Sequence, residues 1–174
     1  MIARIIRIFR LDFTVFREIA EDKGALTQAA VVVIVASLLS AIGSAGSAAT
    51  GHAVSSFFIS FILGVLVSWI VWAVLTYFVG TVLFQGKTDI PEMMRVLGFA
   101  SAPRALGIFN LIICIGWIPA LVGGILALIA AVLAIREAME FETTKAILTA
   151  LIAWVVSIAI SIVFGLVFGV GFLF

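Results

Sequence analysis

Residues 105–135 read ALGIFNLIICIGWIPALVGGILALIAAVLAI, 31 positions without Asp, Glu, Lys or Arg, and how they fold decides how often the chain crosses a bilayer. A membrane span needs about 20 apolar residues. Read as one long helix, the stretch is a single crossing and the chain crosses four times. Read as two, residues 96–115 and 117–135 form a tight hairpin turning at Gly116-Trp117-Ile118-Pro119, with Arg104 inside the first arm. Proline disfavours helix at the residue before it and Trp favours a membrane interface, so the local chemistry supports the turn and five crossings.

Working outward, two further runs lack charge: residues 24–86 (63 positions) and 146–174 (29 positions). The first holds two spans, about 25–48 and 54–84, separated by the small and polar stretch Ser44-Ala45-Gly46-Ser47-Ala48-Ala49-Thr50-Gly51-His52. The second of these would reach roughly 46 Å as a helix, beyond a hydrocarbon core of about 30 Å, and so must tilt or project. The last run gives one span, about 146–170. The expected architecture is an all-α polytopic membrane helix bundle: five transmembrane helices over residues 24–174, preceded by an interfacial amphipathic helix over 1–23.

The whole composition agrees. Of 174 residues, 65% are hydrophobic and 11% charged, against about 45–50% and about 25% in a soluble domain. Ten Lys/Arg balance nine Asp/Glu, so no polyelectrolyte face is available for nucleic acid. One Cys excludes an internal disulfide, and one His with one Cys cannot supply the usual zinc ligands.

Charge also orients the chain. With five spans, Arg4, Arg7, Arg10, Arg17, Lys23, Lys87, Arg95, Arg136 and Lys145 lie on the N-terminal side, and Arg104 lies in the membrane. The positive-inside rule then places the N-terminus in the cytoplasm and the C-terminus outside, as in a cell inner (plasma) membrane protein.

Within residues 1–23, Arg4, Arg7, Arg10, Thr14, Arg17, Glu18 and Glu21 share one arc of a helical wheel, opposite Ile2, Ile5, Ile8, Phe9, Phe13, Phe16 and Ile19. Such a helix rests in the cytoplasmic leaflet with Arg4, Arg7, Arg10 and Arg17 at the membrane surface, each contributing about 1 kcal/mol on anionic lipid. It reads either as a lead-in to the first span or as a docking or curvature-sensing element. Asp12 and the charges from Arg17 to Lys23 break any signal-peptide core.

Few residues could carry chemistry. Arg104 costs about 2.5–3.5 kcal/mol near the bilayer centre, where such a residue is usually functional. Alternatively, Pro103 breaks the helix and leaves Arg104 at headgroup level, or the side chain snorkels. No acidic residue within a span pairs with it. His52 and Cys114 lack the partners that general-base or nucleophilic catalysis needs. Asp89, Glu92, Glu137, Glu140 and Glu142 alternate with Lys87, Arg95, Arg136 and Lys145 in two loops. These read as balanced charge in solvated loops, or as a partner-docking or cation-binding surface. In the last span Ala153, Ser157, Ser161, Gly165 and Gly169 recur every fourth residue, and Ser37, Ala41 and Ala45 do so in the first. Small-residue stripes of this kind let helices approach closely, within the chain or between copies of it.

Gly98-Phe99-Ala100-Ser101-Ala102-Pro103, opening the third span, resembles the Gly-Tyr-x-x-x-Pro-like motif of the Yip family, the Ypt/Rab-interacting membrane proteins. Phe16-Arg17-Glu18-Ile19-Ala20-Glu21-Asp22-Lys23, Arg95-Val96-Leu97-Gly98-Phe99-Ala100 and Ala134-Ile135-Arg136-Glu137-Ala138 look like prokaryotic members. Gly98, Pro103 and Arg104 are the candidate functional residues of this region. Phe99 stands where Tyr is usual, and the Asp-Leu-Tyr-Gly-Pro motif and long cytosolic N-terminal region of eukaryotic members are missing. Rab-type GTPase binding is therefore not carried over. What the resemblance implies is a multi-pass inner-membrane protein; the basic amphipathic helix, the charge-poor spans and the absence of a catalytic set point on to a non-enzymatic, cofactor-free protein that organises the bilayer or scaffolds membrane proteins. Its expected partners are lipid and either a second copy or other membrane proteins. The competing expectation is a small transporter or channel with Arg104 lining a polar pathway.

Overall fold

A computed structural model describes residues 1–10, 12, 14–47, 61, 65, 69–112 and 116–168, and all regular structure among them is helical. The elements are α1 (Ile2–Phe9), α2 (Thr14–Glu21), α3 (Ala25–Ser47), α4 (Trp72–Phe84), α5 (Ile90–Ala100), a 3₁₀ helix (Ala102–Leu111), α6 (Trp117–Ala138) and α7 (Thr143–Phe168). Among the described residues, three stretches are long and apolar enough to cross a membrane: Ala25–Gly43, Trp117–Ala138 and Thr143–Ile160. A shorter apolar helix, Trp69–Phe84, enters α4 through a π-helical turn at residues 69–71. His52, Cys114 and Gly169 lie outside the described residues, as do most positions of the expected second span before Trp69.

Side-chain size sorts the bundle. Ala25, Ala29 and Ala36 of α3, Ala127, Ala130 and Ala134 of α6, and Ala146, Ala150 and Ala153 of α7 are buried. Val31, Ile34, Leu121, Leu128, Leu151 and Trp154 on the same helices face outward. In lipid, burying a large apolar side chain between helices gains nothing over leaving it in acyl chains, whereas small residues let backbones close up. Ala153 belongs to the four-residue stripe of the last helix and is buried inside the chain, Ser157 is half-buried, and Ala41 of the first stripe is buried. Ser161 and Gly165 lie within α7, but their side chains fall outside the described set.

The third expected span is not one α-helix. It begins at Ile90 rather than near residue 96, because Asp89 caps it: the Asp89 carboxylate accepts the Glu92 N–H at 2.6 Å, and Pro91 sits in the first turn. Regular α geometry ends at Ala100. Pro103 has no N–H to give the residue 99 carbonyl and its ring would crowd that group, so the chain tightens into ten residues of 3₁₀ helix. This is the break that Pro103 allowed. The 3₁₀ helix packs between α3 and α6 at backbone distance. A Cβ on Gly43 would strike the Gly107 carbonyl, and one on Gly123 would meet the Pro103 carbonyl at 2.5 Å. Non-α backbone among apolar helices is tolerated where protein surrounds it, as here. The chain then turns before Trp117, with the Gly116 N–H donating to the Ile112 carbonyl at 2.9 Å.

The expected single amphipathic helix is two. Asp12 stops α1 and starts α2: its carboxylate takes the Arg7 Nε at 2.8 Å, the Thr14 N–H at 3.2 Å and the Thr14 hydroxyl at 2.7 Å. Arg4 then pairs with Glu18 and Asp22, and Arg7 with Glu18, holding α1 back along α2. The apolar face of α2 is protein core, with Val15, Phe16, Ile19 and Ala20 buried against α5 and α6.

A charged cleft at the end of the bundle

Every charged residue except Arg104 falls in residues 4–23 around α1 and α2, in the α4–α5 connection and α5, or around the α6–α7 turn. Those three regions meet. A cleft of about 220 Å³ is lined by Arg17, Ala20 and Glu21 from α2, Lys87 from the connection, Glu92 from α5, Glu137 and Ala138 from α6, and Glu140 from the following turn.

Local chemistry builds each wall. Helices α4 and α6 both end on a non-glycine residue in left-handed conformation, Gln85 (φ 58°) and Glu140 (φ 53°). The Phe141 N–H donates to the Arg136 carbonyl at 2.9 Å, closing the α6 terminus as a Schellman turn does. Gly86 lies so close to Met139 and Phe141 that a Cβ there would stand 2.7 Å from the Phe141 ring, and Phe84 meets that ring edge-on at 6.2 Å. The two helix ends are thereby locked together beneath Lys87 and Glu140.

The α2 wall is held by Arg95, which is 7% exposed. Its Nη2 donates to the Ala20 carbonyl at 2.7 Å, satisfying one of the free carbonyls at the end of α2. Its Nε is also buried and has no hydrogen-bond partner. The sequence reading put Arg95 and Glu92 in a solvated loop. Both stand instead on α5, and Arg95 is a buried strut between two elements. Sequence reasoning missed Arg95 and Asp89 as organising residues. The Asp89-Ile90-Pro91-Glu92 pattern, a capping residue with Glu three positions on, is the signal that finds this helix start.

Four carboxylates and two cations line the cleft, and Arg136 and Arg95 stand beside Glu137 and Glu92, so its charge is close to balanced. Arg17 reaches Glu21 at 3.5 Å, and Arg136 holds Glu137 at 2.6 Å. Burial pushes the Glu92 carboxyl above its ordinary range, against the opposing hydrogen bond from the Thr88 hydroxyl at 3.0 Å. The arrangement is a polar recess whose carboxylates are largely paired with arginines. Among the described residues, no cluster of three His, Cys, Asp or Glu side chains is placed to hold a metal ion.

The remaining sequence candidates are dispersed. Gly98 packs on α3, where an added Cβ would lie 2.8 Å from the Ala29 Cβ and 3.1 Å from the Trp69 indole nitrogen, itself donating to the Met94 carbonyl at 2.9 Å. Pro103 is buried, whereas Arg104 stands on the exposed side of the 3₁₀ helix. Ser157 turns its hydroxyl to the Trp154 carbonyl at 2.8 Å. Of the four surface arginines, Arg4 and Arg7 are engaged by α2, Arg17 lines the cleft, and Arg10 is exposed at the end of α1.

Compared with known proteins, the chain matches the Yip1 domain over residues 8–165. No curated protein and no solved structure matches it. The matched stretch contains α2, the Arg95 strut, Gly98, Pro103 and every cleft residue. With three helices long and apolar enough to cross a membrane and this match over nearly the whole chain, the protein is a multi-pass membrane protein belonging to the Yip1 domain family.

Proposed function

We propose that this protein is a five-span, non-enzymatic member of the inner (plasma) membrane, N-terminus cytoplasmic and C-terminus outside. In this reading it organises the bilayer or scaffolds other membrane proteins. One observation carries the reading: segments at residues 17–21, 87–92 and 137–140 line a single cleft. A chain that returns twice to one end crosses in pairs, twice between residues 24 and 86 and twice between 96 and 135, and leaves once more along α7. That end also collects the basic residues that the positive-inside rule assigns to the cytoplasm. The fused α2, the Arg95 strut and the paired helix ends make it a folded platform on an apolar anchor, with a polar recess for a partner to enter. The glycine-mediated contacts of the 3₁₀ helix with α3 and α6 support a closely packed bundle more than a polar pathway along Arg104.

Photo-crosslinking from positions 21 and 87 in native membranes, alongside lipid-order measurements in cells with and without the chain, tests this. Protein adducts from position 87 that vanish when Glu21, Glu137 and Glu140 are changed to Lys, and from position 21 when Glu137 and Glu140 are, with membrane insertion intact, are the expected result. Unchanged lipid order on deletion together with no protein adducts from either position refutes it.

A further inference from the structure

Helix α1 has three faces, and only two are used. Arg4 and Arg7 turn to the acidic residues of α2, and Ile5 and Ile8 pack on the core beside the 3₁₀ helix. Ile2, Ile6 and Phe9, at the i, i+4, i+7 spacing of a single stripe, are exposed on the side opposite the two arginines. A soluble protein seldom leaves such a stripe uncovered on a short terminal helix. Here α2 ends within four residues of the first crossing helix, and the exposed apolar residues of α3 (Val31, Ile34, Val35) continue the same kind of surface.

We infer that α1 lies in the bilayer interface, held there by Ile2, Ile6 and Phe9, with Arg4 and Arg7 turned away from lipid and paired within the protein. The occupant of the stripe is the acyl-chain boundary of the leaflet, and it needs no anionic headgroup. This deepens the membrane placement proposed above and rests on it, but reverses the electrostatic logic of residues 1–23: apolar insertion replaces arginine binding, and α2 serves as a protein-side brace. Two arginines seated on anionic headgroups would raise the inserted-to-detached ratio of α1 by roughly thirtyfold in anionic over neutral membranes. With Arg4 and Arg7 already satisfied by carboxylates, exposed Arg10 is what remains of α1's arginines to respond, and that ratio changes by no more than about fivefold.

The test uses the full chain with Cys114→Ser and one added cysteine, Ile6→Cys, Ala3→Cys or Val35→Cys, each carrying an environment-sensitive fluorophore. The proteins are reconstituted in phosphatidylcholine, or in phosphatidylcholine with phosphatidylglycerol. Brominated acyl chains quench from the lipid and iodide from water. Positions 6 and 35 are expected to be quenched by brominated lipid equally in both membranes, and position 3 by iodide. Iodide access at position 6 with position 35 still quenched by lipid overturns the inference while leaving the membrane placement standing. Insertion at position 6 confined to the anionic membrane overturns it, and so does shielding from both quenchers, which would mean that protein covers the stripe. Loss of lipid quenching at position 35 as well overturns the placement on which it rests.

Discussion

Phe16→Ala separates a helix that rests on lipid from one that belongs to the fold. Phe16 is 2% exposed, seated with Val15, Ile19 and Ala20 against α5 and α6. Truncating a fully buried Phe costs about 3–5 kcal/mol, the transfer of the ring plus the void it leaves. Because α2 is tied to the bundle chiefly through this face and the Arg95 contact, that cost falls on the equilibrium between docked and undocked hairpin. A loss of 3 kcal/mol corresponds to an increase of more than roughly a hundredfold in the undocked fraction. Hydrogen exchange of the α2 amides, followed by mass spectrometry of the full chain in lipid nanodiscs, reads that opening directly. The expected result is a loss of protection in α2 by about two orders of magnitude, with α6 and α7 unchanged. Phe9→Ala on the outer side of α1 is the control, and leaves α2 protection within about threefold of wild type. If Phe16→Ala alters α2 exchange no more than the control does, α2 is not docked and the cleft has no α2 wall.

Three other outcomes follow from the same contacts. Arg95→Met removes the hydrogen bond to the Ala20 carbonyl but relieves a buried charge with an unpartnered Nε, so its net effect on docking is about 1–2 kcal/mol rather than the 3–5 expected when a buried pair is broken; hydrogen exchange at residues 18–22 checks it. Gly98→Leu places a side chain where even a Cβ meets Ala29 at 2.8 Å, separating α5 from α3 and lowering the thermal midpoint in detergent by several degrees, whereas Gly124→Ala, with no heavy atom within 4 Å of the added methyl, leaves it unchanged. Arg7 first and then Arg4 lower the Glu18 pKa, Arg7 lowers that of Asp12, and Arg4 lowers that of Asp22. The stability these carboxylates lend the α1–α2 hairpin is therefore present above about pH 4 and lost as pH falls through their depressed folded values. Glu92, raised by burial, acts with the opposite sign and costs stability as pH rises from about 4.3 through its elevated value, a slope that Glu92→Gln removes in pH-dependent melting.

Charge-free runs are enough to mark α3, α6 and α7, because a bilayer demands length and apolarity and both can be counted along a chain. The same count says nothing about what a helical face meets. The wheel of residues 1–23 separates Ile and Phe from Arg correctly, yet Phe16 ends in protein while Ile2 does not. Periodicity identifies a face but not its neighbour. The division into α1 and α2 depends on Asp12 capturing Arg7 and Thr14, a contact between side chains that a single-helix wheel cannot represent. Arg95 counts as one more basic loop residue until α5 is started at Asp89, after which it must point into the bundle. The cleft itself joins residues more than a hundred positions apart. Its ingredients stand in the sequence, but their meeting is a consequence of how the helices pack.

The ten 3₁₀ residues after Pro103 change the arithmetic of reach. At about 2.0 Å per residue they extend roughly 20 Å, a distance that takes about thirteen residues at the 1.5 Å rise of an α-helix. Added to the roughly 16 Å of α5, the 21 positions from Ile90 to Leu111 that these two helices occupy extend about as far as a straight α-helix of 24. The usual requirement of twenty apolar residues for one crossing is an α-helical yardstick, and a strand of tighter winding needs fewer. These two helices, starting directly after the capping residue Asp89, therefore reach farther than their residue count suggests.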